Sequence, residues 1–215
     1  MAARRPLLLI VLPFLLAACG GGSSTPKQTG SLSTAVDKTL AQGSEKVRLS
    51  ANVDLSGQTV TLDGSGAFGA KGGTLHLNAT LPVIGQTSID EIVVGSRSWL
   101  RVGSSQWTSL DRSAKTLGFD VRSLTGVTPA SALELLRQGK AETVGAGHYR
   151  VALGTTSGAV RFNSAEAWVD GQNLVRKVKL DFDAGTSGSG KAHTVVTIDY
   201  SDFGTHVDVS PPVSG

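Results

Sequence analysis

Residues 46–81 read KVRLSANVDL (46–55), SG (56–57), QTVTLDGSGAFGA (58–70), KGG (71–73) and TLHLNATL (74–81). In the first segment Val47, Leu49, Ala51, Val53 and Leu55 alternate with Arg48, Ser50, Asn52 and Asp54. In the second, Val60, Leu62, Gly64, Gly66 and Phe68 alternate with Thr59, Thr61, Asp63, Ser65 and Ala67. In the third, Leu75, Leu77, Ala79 and Leu81 alternate with Thr74, His76, Asn78 and Thr80. Successive strand side chains point to opposite faces, so this period of two describes strands with one apolar and one wet face. The short Gly-containing links make consecutive hairpins. The stretch predicts a three-stranded meander whose apolar face needs a cover.

Working outward, Ser31 to Gln42 changes period. Leu32, Val36 and Leu40 recur every four residues and Gly43 ends the run, which predicts a helix. After the meander, strands are predicted at Thr87–Val94, Ser98–Val102 and Gln106–Leu110. The turn Gly103-Ser104-Ser105 brings Trp99 and Trp107 near each other. Ser113 to Leu117 reads as a short helical turn. Thr128 then caps a clearer helix, with Pro129 at its first position, Leu133, Leu135 and Leu136 on its apolar side, and Gly139 as its stop. Strands resume at Ala141–Val144, His148–Leu153, Gly158–Phe162, Ala165–Val169, Leu174–Phe182 and His193–Tyr200. A last short one is predicted near Val207–Val209, and Asp170-Gly171 is a hairpin signal. The expected fold class is α+β: a strongly curved antiparallel sheet of roughly 11–12 strands, a half-barrel, with two or three helices covering its concave face. A twisted sheet of that size has to curl.

The amino terminus has a different character. Arg4 and Arg5 precede an apolar run, and Leu16-Ala17-Ala18-Cys19 closes it. A basic start, a hydrophobic stretch, small residues and then Cys is the pattern of a bacterial lipoprotein signal. Pro6–Ala18, with Pro13 inside it, is too short for a membrane span of about 20 residues. Residues 1–18 are therefore expected to be removed, leaving Cys19, the single cysteine of the 215 residues, to carry the lipid. Gly20–Gly30 (GGGSSTPKQTG) reads as a flexible tether reaching roughly 20 Å on average. Residues 19–30 thus form the lipidated Cys and its tether, and residues 31–215 a single domain. The expected place is the outer face of the cell membrane.

Removing residues 1–18 takes Lys+Arg from 20 to 18 against 17 acids, so the formal charge of +3 belongs mostly to the precursor. No basic stripe remains to bind nucleic acid. With Cys19 acylated there is no disulfide, and stability must come from the core. Gly185–Lys191 (GTSGSGK) imitates a phosphate-binding loop. However, Ala192 replaces the hydroxyl residue and a strand follows where a helix is needed. His76, His148, His193 and His206 lie far apart in sequence, and no Gly-x-Ser-x-Gly stands on a strand-to-helix elbow. No cofactor, metal site or catalytic residue is expected, and the chain does not read as an enzyme.

The carboxy-terminal third carries AWVDG (167–171), LVRKV (174–178), TIDYSDFG (197–204), VDV (207–209) and Pro211. With the Trp99/Trp107 hairpin and the opening helix and meander, this resembles the actinobacterial lipoprotein family that includes the mycobacterial glycolipid-carrying lipoproteins. That family is similar in fold to the LolA/LolB lipoprotein carriers. The resemblance implies a half-barrel with helical lids over a hydrophobic cavity for acyl chains, a lipid or glycolipid ligand, and no catalytic residues. The apolar residues that would line the cavity are Val47, Leu49, Val53, Val60, Leu62, Leu75, Leu77, Leu133, Leu136, Val178, Leu180 and Phe182. Ala51, Gly64, Gly66 and Ala79 on the same faces are small enough to leave space. The alternative is that these residues form a solid core, and that the protein serves an envelope protein partner through its polar face.

Overall fold

The computed structural model describes residues 31–55, 57–83, 85–109, 128–154, 160–186 and 190–212. In chain order the elements are helix α1 (Leu32–Leu40), strands β1 (Ser44–Leu55), β2 (Gln58–Gly69), β3 (Gly72–Leu81), β4 (Gly85–Val94), β5 (Arg97–Val102) and β6 (Thr108–Ser109), helix α2 (Pro129–Gln138), then β7 (Lys140–Gly145), β8 (His148–Ala152), β9 (Val160–Val169), β10 (Val175–Thr186) and β11 (Gly190–Ser201). All eleven strands join one antiparallel sheet in the order β6-β5-β4-β3-β2-β1-β11-β10-β9-β8-β7. The sheet stays open, with β6 and β7 at its edges, so the architecture is a half-barrel with helices on one face.

The register makes the inner face continuous. Val102, Ile89, Leu77, Gly64, Leu49, Ile198, Val178, Ala167 and Tyr149 stand opposite one another in sequence across nine strands. The next row runs Thr87, Ala79, Leu62, Ala51, Val196, Leu180, Ala165, Val151 and Ala141. The alternation read in residues 46–81 thus extends across most of the sheet, because the pairing keeps each strand's apolar set on one side apart from local shifts in β9–β10 and β7–β8.

Both helices begin as their caps dictate. Ser31 accepts from Thr34 N–H at α1, and Thr128 accepts from Ser131 N–H at α2, ahead of Pro129. Arg137 of α2 lies 3.6 Å from Asp37 of α1. Thr39, buried in α1, donates to Ala35 C=O at 2.7 Å and accepts the Val175 N–H of β10 at 2.8 Å. This fixes α1 to the sheet through an otherwise unpaired backbone donor. Tyr200 of β11 donates to Pro129 C=O at 2.8 Å and fixes the start of α2.

Three sequence expectations change. Val160–Phe162 of the expected strand Gly158–Phe162, whose first two residues lie outside the described ones, and Ala165–Val169 are parts of one strand, β9. Phe162 and Ala165 are three residues apart and could not share a face in a regular strand. The pairing shifts so that Ser164 faces Asp181 and Phe162 faces Phe182, which leaves Asn163 as the extra residue of a bulge. The segment at Val207–Val209 forms no strand. β1 is already paired on both sides, so the closing stretch is tied instead by Gly204 N–H to Ser44 C=O and by the Ser44 hydroxyl to Thr205 C=O. At Asp170-Gly171 the left-handed residue is Asn173 (φ 60°), so the loop is longer than a two-residue turn. The Asp170 carboxylate accepts from the N–H groups of Gln172 and Leu174 and from Arg176 Nε. Burial alone would push Asp170 up, but these bonds hold it below the ordinary carboxylate value. Cys19, the tether and the helical turn expected at Ser113–Leu117 lie outside the described residues, as does Leu110.

Gly64 and Gly66 do something other than expected. A Cβ at Gly64 would overlap the His76 carbonyl and the Leu77 Cα of β3, and one at Gly66 would overlap the Thr74 carbonyl. The space beside them is therefore occupied by the neighbouring backbone, and they permit close approach of β2 to β3. Gly64→Ala is expected to cost about 1–3 kcal/mol, the range for inserting atoms where backbone must move, measured by urea denaturation. A loss below about 0.5 kcal/mol would contradict this reading.

Candidate functional site

The candidate site is the inner face. Val47, Leu49 and Val53 of β1, Val60 and Leu62 of β2, Leu75 and Leu77 of β3, and Val178, Leu180 and Phe182 of β10 are all buried in one cluster with Leu133 and Leu136 of α2. The structure therefore brings together all twelve residues named from the sequence as lining. Leu32, Ala35 and Val36 of α1 and Ala132 of α2 join the same cluster. Phe182 meets Phe162 at 5.5 Å between ring centroids, tilted by 56°. Thr194 lies between Val53 and Phe182, its hydroxyl buried without a hydrogen-bond partner among the described residues.

Charged groups mostly sit outside this face, in pairs. Asp90 accepts two hydrogen bonds from Arg101, at 2.9 and 3.1 Å, and meets His76. Arg101 also covers the Trp107 ring at 4.7 Å, so Trp107 packs under a guanidinium and forms no ring pair with Trp99 among the described residues. His148 stacks on Trp168 at 4.5 Å and meets Glu166 at 2.7 Å. His193 lies between Asp183 and Asp181, at 3.0 and 3.7 Å. His206 meets Asp208 at 2.9 Å. Among the described residues no three His, Cys, Asp or Glu side chains gather as metal ligands would. The described ends of the phosphate-loop imitation pair in the β10–β11 ladder, Gly185 with Lys191 and Thr186 with Gly190.

Two acids break the pattern, and neither was singled out from the sequence. Glu45 begins the inner-face set of β1, and burial raises its pKa to about 6. Its charge also helps burial push the Tyr200 phenol up. Glu91 of β4 is 7% exposed and stands between Leu75 of β3 and Leu100 of β5. Burial raises its pKa to about 7 from an ordinary 4.5. The signal was present: two residues on from Ile89, Glu91 has to share its face. It was obscured because Ser88, Asp90, Ile92 and Val94 on the other face are as mixed as Thr87, Ile89, Glu91 and Val93.

The sign of the Glu91 effect follows from proton counting. Between pH 4.5 and 7 the unfolded chain has released this proton and the folded one keeps it, so stability declines as pH rises through that window. The cost above pH 7 is about 3 kcal/mol. Glu91→Gln is therefore expected to gain stability at pH 8 and little at pH 4, measured by denaturant titration at both. Equal effects at the two values would show that the carboxyl is not held neutral by burial.

No family model matches the chain, and no curated protein matches it. Among solved structures it is similar to the Mycobacterium tuberculosis lipoprotein LppX, at 14% identity and a TM-score of 0.44, over 83% of this chain and 98% of that one. It is also similar to a DUF1329 family protein from Desulfovibrio piger, at 10% identity and a TM-score of 0.39, over 83% and 92% of the two chains. A third similarity is to a domain from Vibrio parahaemolyticus described as outer membrane lipoprotein-sorting, at 10% identity and a TM-score of 0.34, over 83% and 95%. No helix among the described residues is long and apolar enough to cross a membrane.

Proposed function

We propose that this chain is an extracytoplasmic lipoprotein, anchored through an acylated Cys19, whose half-barrel reversibly holds the acyl chains of a lipid or other amphipath without chemical change. The observation that carries the reading is the inner face itself: one apolar row across nine strands and a largely apolar face around it, with two amphipathic helices attached from one side. Among the described residues, the helices meet the sheet and its β9–β10 loop through the polar contacts Thr39–Val175, Lys38–Gln172 and Tyr200–Pro129. That arrangement suits a lid. An acyl chain entering beneath it would gain about 0.8 kcal/mol per buried CH₂. The lipobox and the flexible tether would keep the domain close to a membrane that supplies such chains.

The test is uptake from vesicles. Phosphatidylcholine vesicles carrying a self-quenched fluorescent phospholipid are mixed with the full-length protein, and dequenching is followed. Extraction that saturates near one lipid per protein supports the proposal; none at any protein concentration rejects it. A second reading, a structural or interaction lipoprotein with a filled core, is favoured by the tight burial of Phe182, Leu180, Leu133 and Leu136. It predicts no extraction in the same assay.

A further inference from the structure

We propose that Glu91 is the polar anchor of the inner face, accepting hydrogen bonds from an ammonium or hydroxyl head group whose alkyl chain lies against Leu75, Leu77 and Leu100. The inference rests on the lipid-binding reading above and adds the ligand's chemistry to it.

Adjacent residues on one strand make the contrast. Asp90, on the outer face of β4, is held by Arg101 and His76. Glu91, on the inner face, receives no hydrogen bond and no ion pair from the described residues. Its neighbours on that face are Ile89 and Val93 along the strand, Leu75 on one side and Leu100 on the other. A carboxyl so placed weakens the fold, since burial takes away most of its water and no described group bonds to it in return. Leucine or valine there would continue the row. An arriving N–H or O–H donor would supply the missing partner, and an ammonium would draw the carboxyl back to its ionised form. A ligand with a chain alone gains nothing from Glu91, and one with acceptors only gains nothing once the carboxyl is ionised, as it mostly is at pH 7.5. The discrimination should be large because a site built to meet a donor rejects the analogue that lacks one.

The probes are three sixteen-carbon amphipaths: hexadecylamine, hexadecanol and methyl palmitate. The full-length protein is incubated with an equimolar mixture at pH 7.5 and analysed by native mass spectrometry, which reports the ratio of bound species. Wild type is expected to retain the amine and the alcohol at least tenfold over the ester. Glu91→Gln should lose most of the preference for the amine and still take up chains. Glu91→Leu should favour the ester, and melting curves establish that both variants are folded. An unchanged preference in folded Glu91→Gln, or a wild type that binds all three alike, overturns the anchor and leaves the carrier reading standing. A wild type that binds none of the three overturns both.

Discussion

Leu133→Asp is expected to destabilise the protein by about 4–5 kcal/mol and to abolish lipid retention in whatever fraction remains folded. Leu133 lies on the inward side of α2, 1% exposed, in the cluster that joins both helices to the sheet. Deleting a buried leucine side chain costs about 2–5 kcal/mol, and a carboxylate left there without a partner adds its own desolvation. Ala130→Asp is the control. Ala130 is exposed in the first turn of α2, where an acid faces the positive end of the helix dipole, and its effect should stay within about 0.5 kcal/mol. Urea denaturation of both variants gives the comparison. If Leu133→Asp is folded, equally stable and still holds lipid, α2 does not cover the inner face.

Phe182→Ala is the second large effect, expected at about 3–5 kcal/mol. Phe182 is almost fully buried, sits opposite Thr194 and Phe162, and supplies the largest side chain of the inner face of β10. The spread in cost at such sites reflects how far the surroundings collapse. A filled core closes poorly over the gap, and the loss stays near the upper figure whether or not lipid is present. A carrier has another course: an alkyl chain can occupy the vacated volume. Saturating lipid at a hundred times its dissociation constant stabilises a binding-competent state by about 2.7 kcal/mol. Thermal denaturation of Phe182→Ala with and without phospholipid therefore separates the two readings. Recovery of about that size supports the carrier, and a loss unchanged by lipid supports the filled core.

Much of this fold is legible in residues 46–81, because strict alternation, short Gly links and one wet face leave few arrangements open. The helix starts were equally legible, since Ser31, Thr128 and Pro129 act through local chemistry that tertiary context does not override. What escaped depended on partners distant in sequence. The bulge at Asn163 exists because Phe162 and Ala165 must both face β10. The Val207 segment could not become a strand because β2 and β11 already flank β1. The role of Gly64 follows from where the β3 backbone passes, which composition does not reveal. For the site, the apolar lining could be listed from alternation alone. Glu91 could not be separated from the surface acids until its neighbours, Leu75 and Leu100, were placed beside it.

The closing stretch shows how local sequence and global packing meet. In Tyr200-Ser201-Asp202-Phe203-Gly204, Tyr200 is buried and bonded to α2, while Asp202 takes a left-handed conformation and meets Lys46 at 2.9 Å. Phe203 lies under the Arg176 guanidinium at 4.8 Å, and Gly204 donates to Ser44. The motif that carried the family resemblance thus ties the last strand to the first and to the second helix. It serves the join between the two halves of the sheet, at β1 and β11.

Mass spectrometry of the full-length protein purified from membranes, first under native and then under denaturing conditions, tests the central claim most directly. The account predicts a native mass that exceeds the denatured one by a near-stoichiometric lipid, beyond the acyl groups proposed at Cys19. Identical masses in both conditions, with no uptake of added phospholipid, would contradict it and make the inner face a filled core.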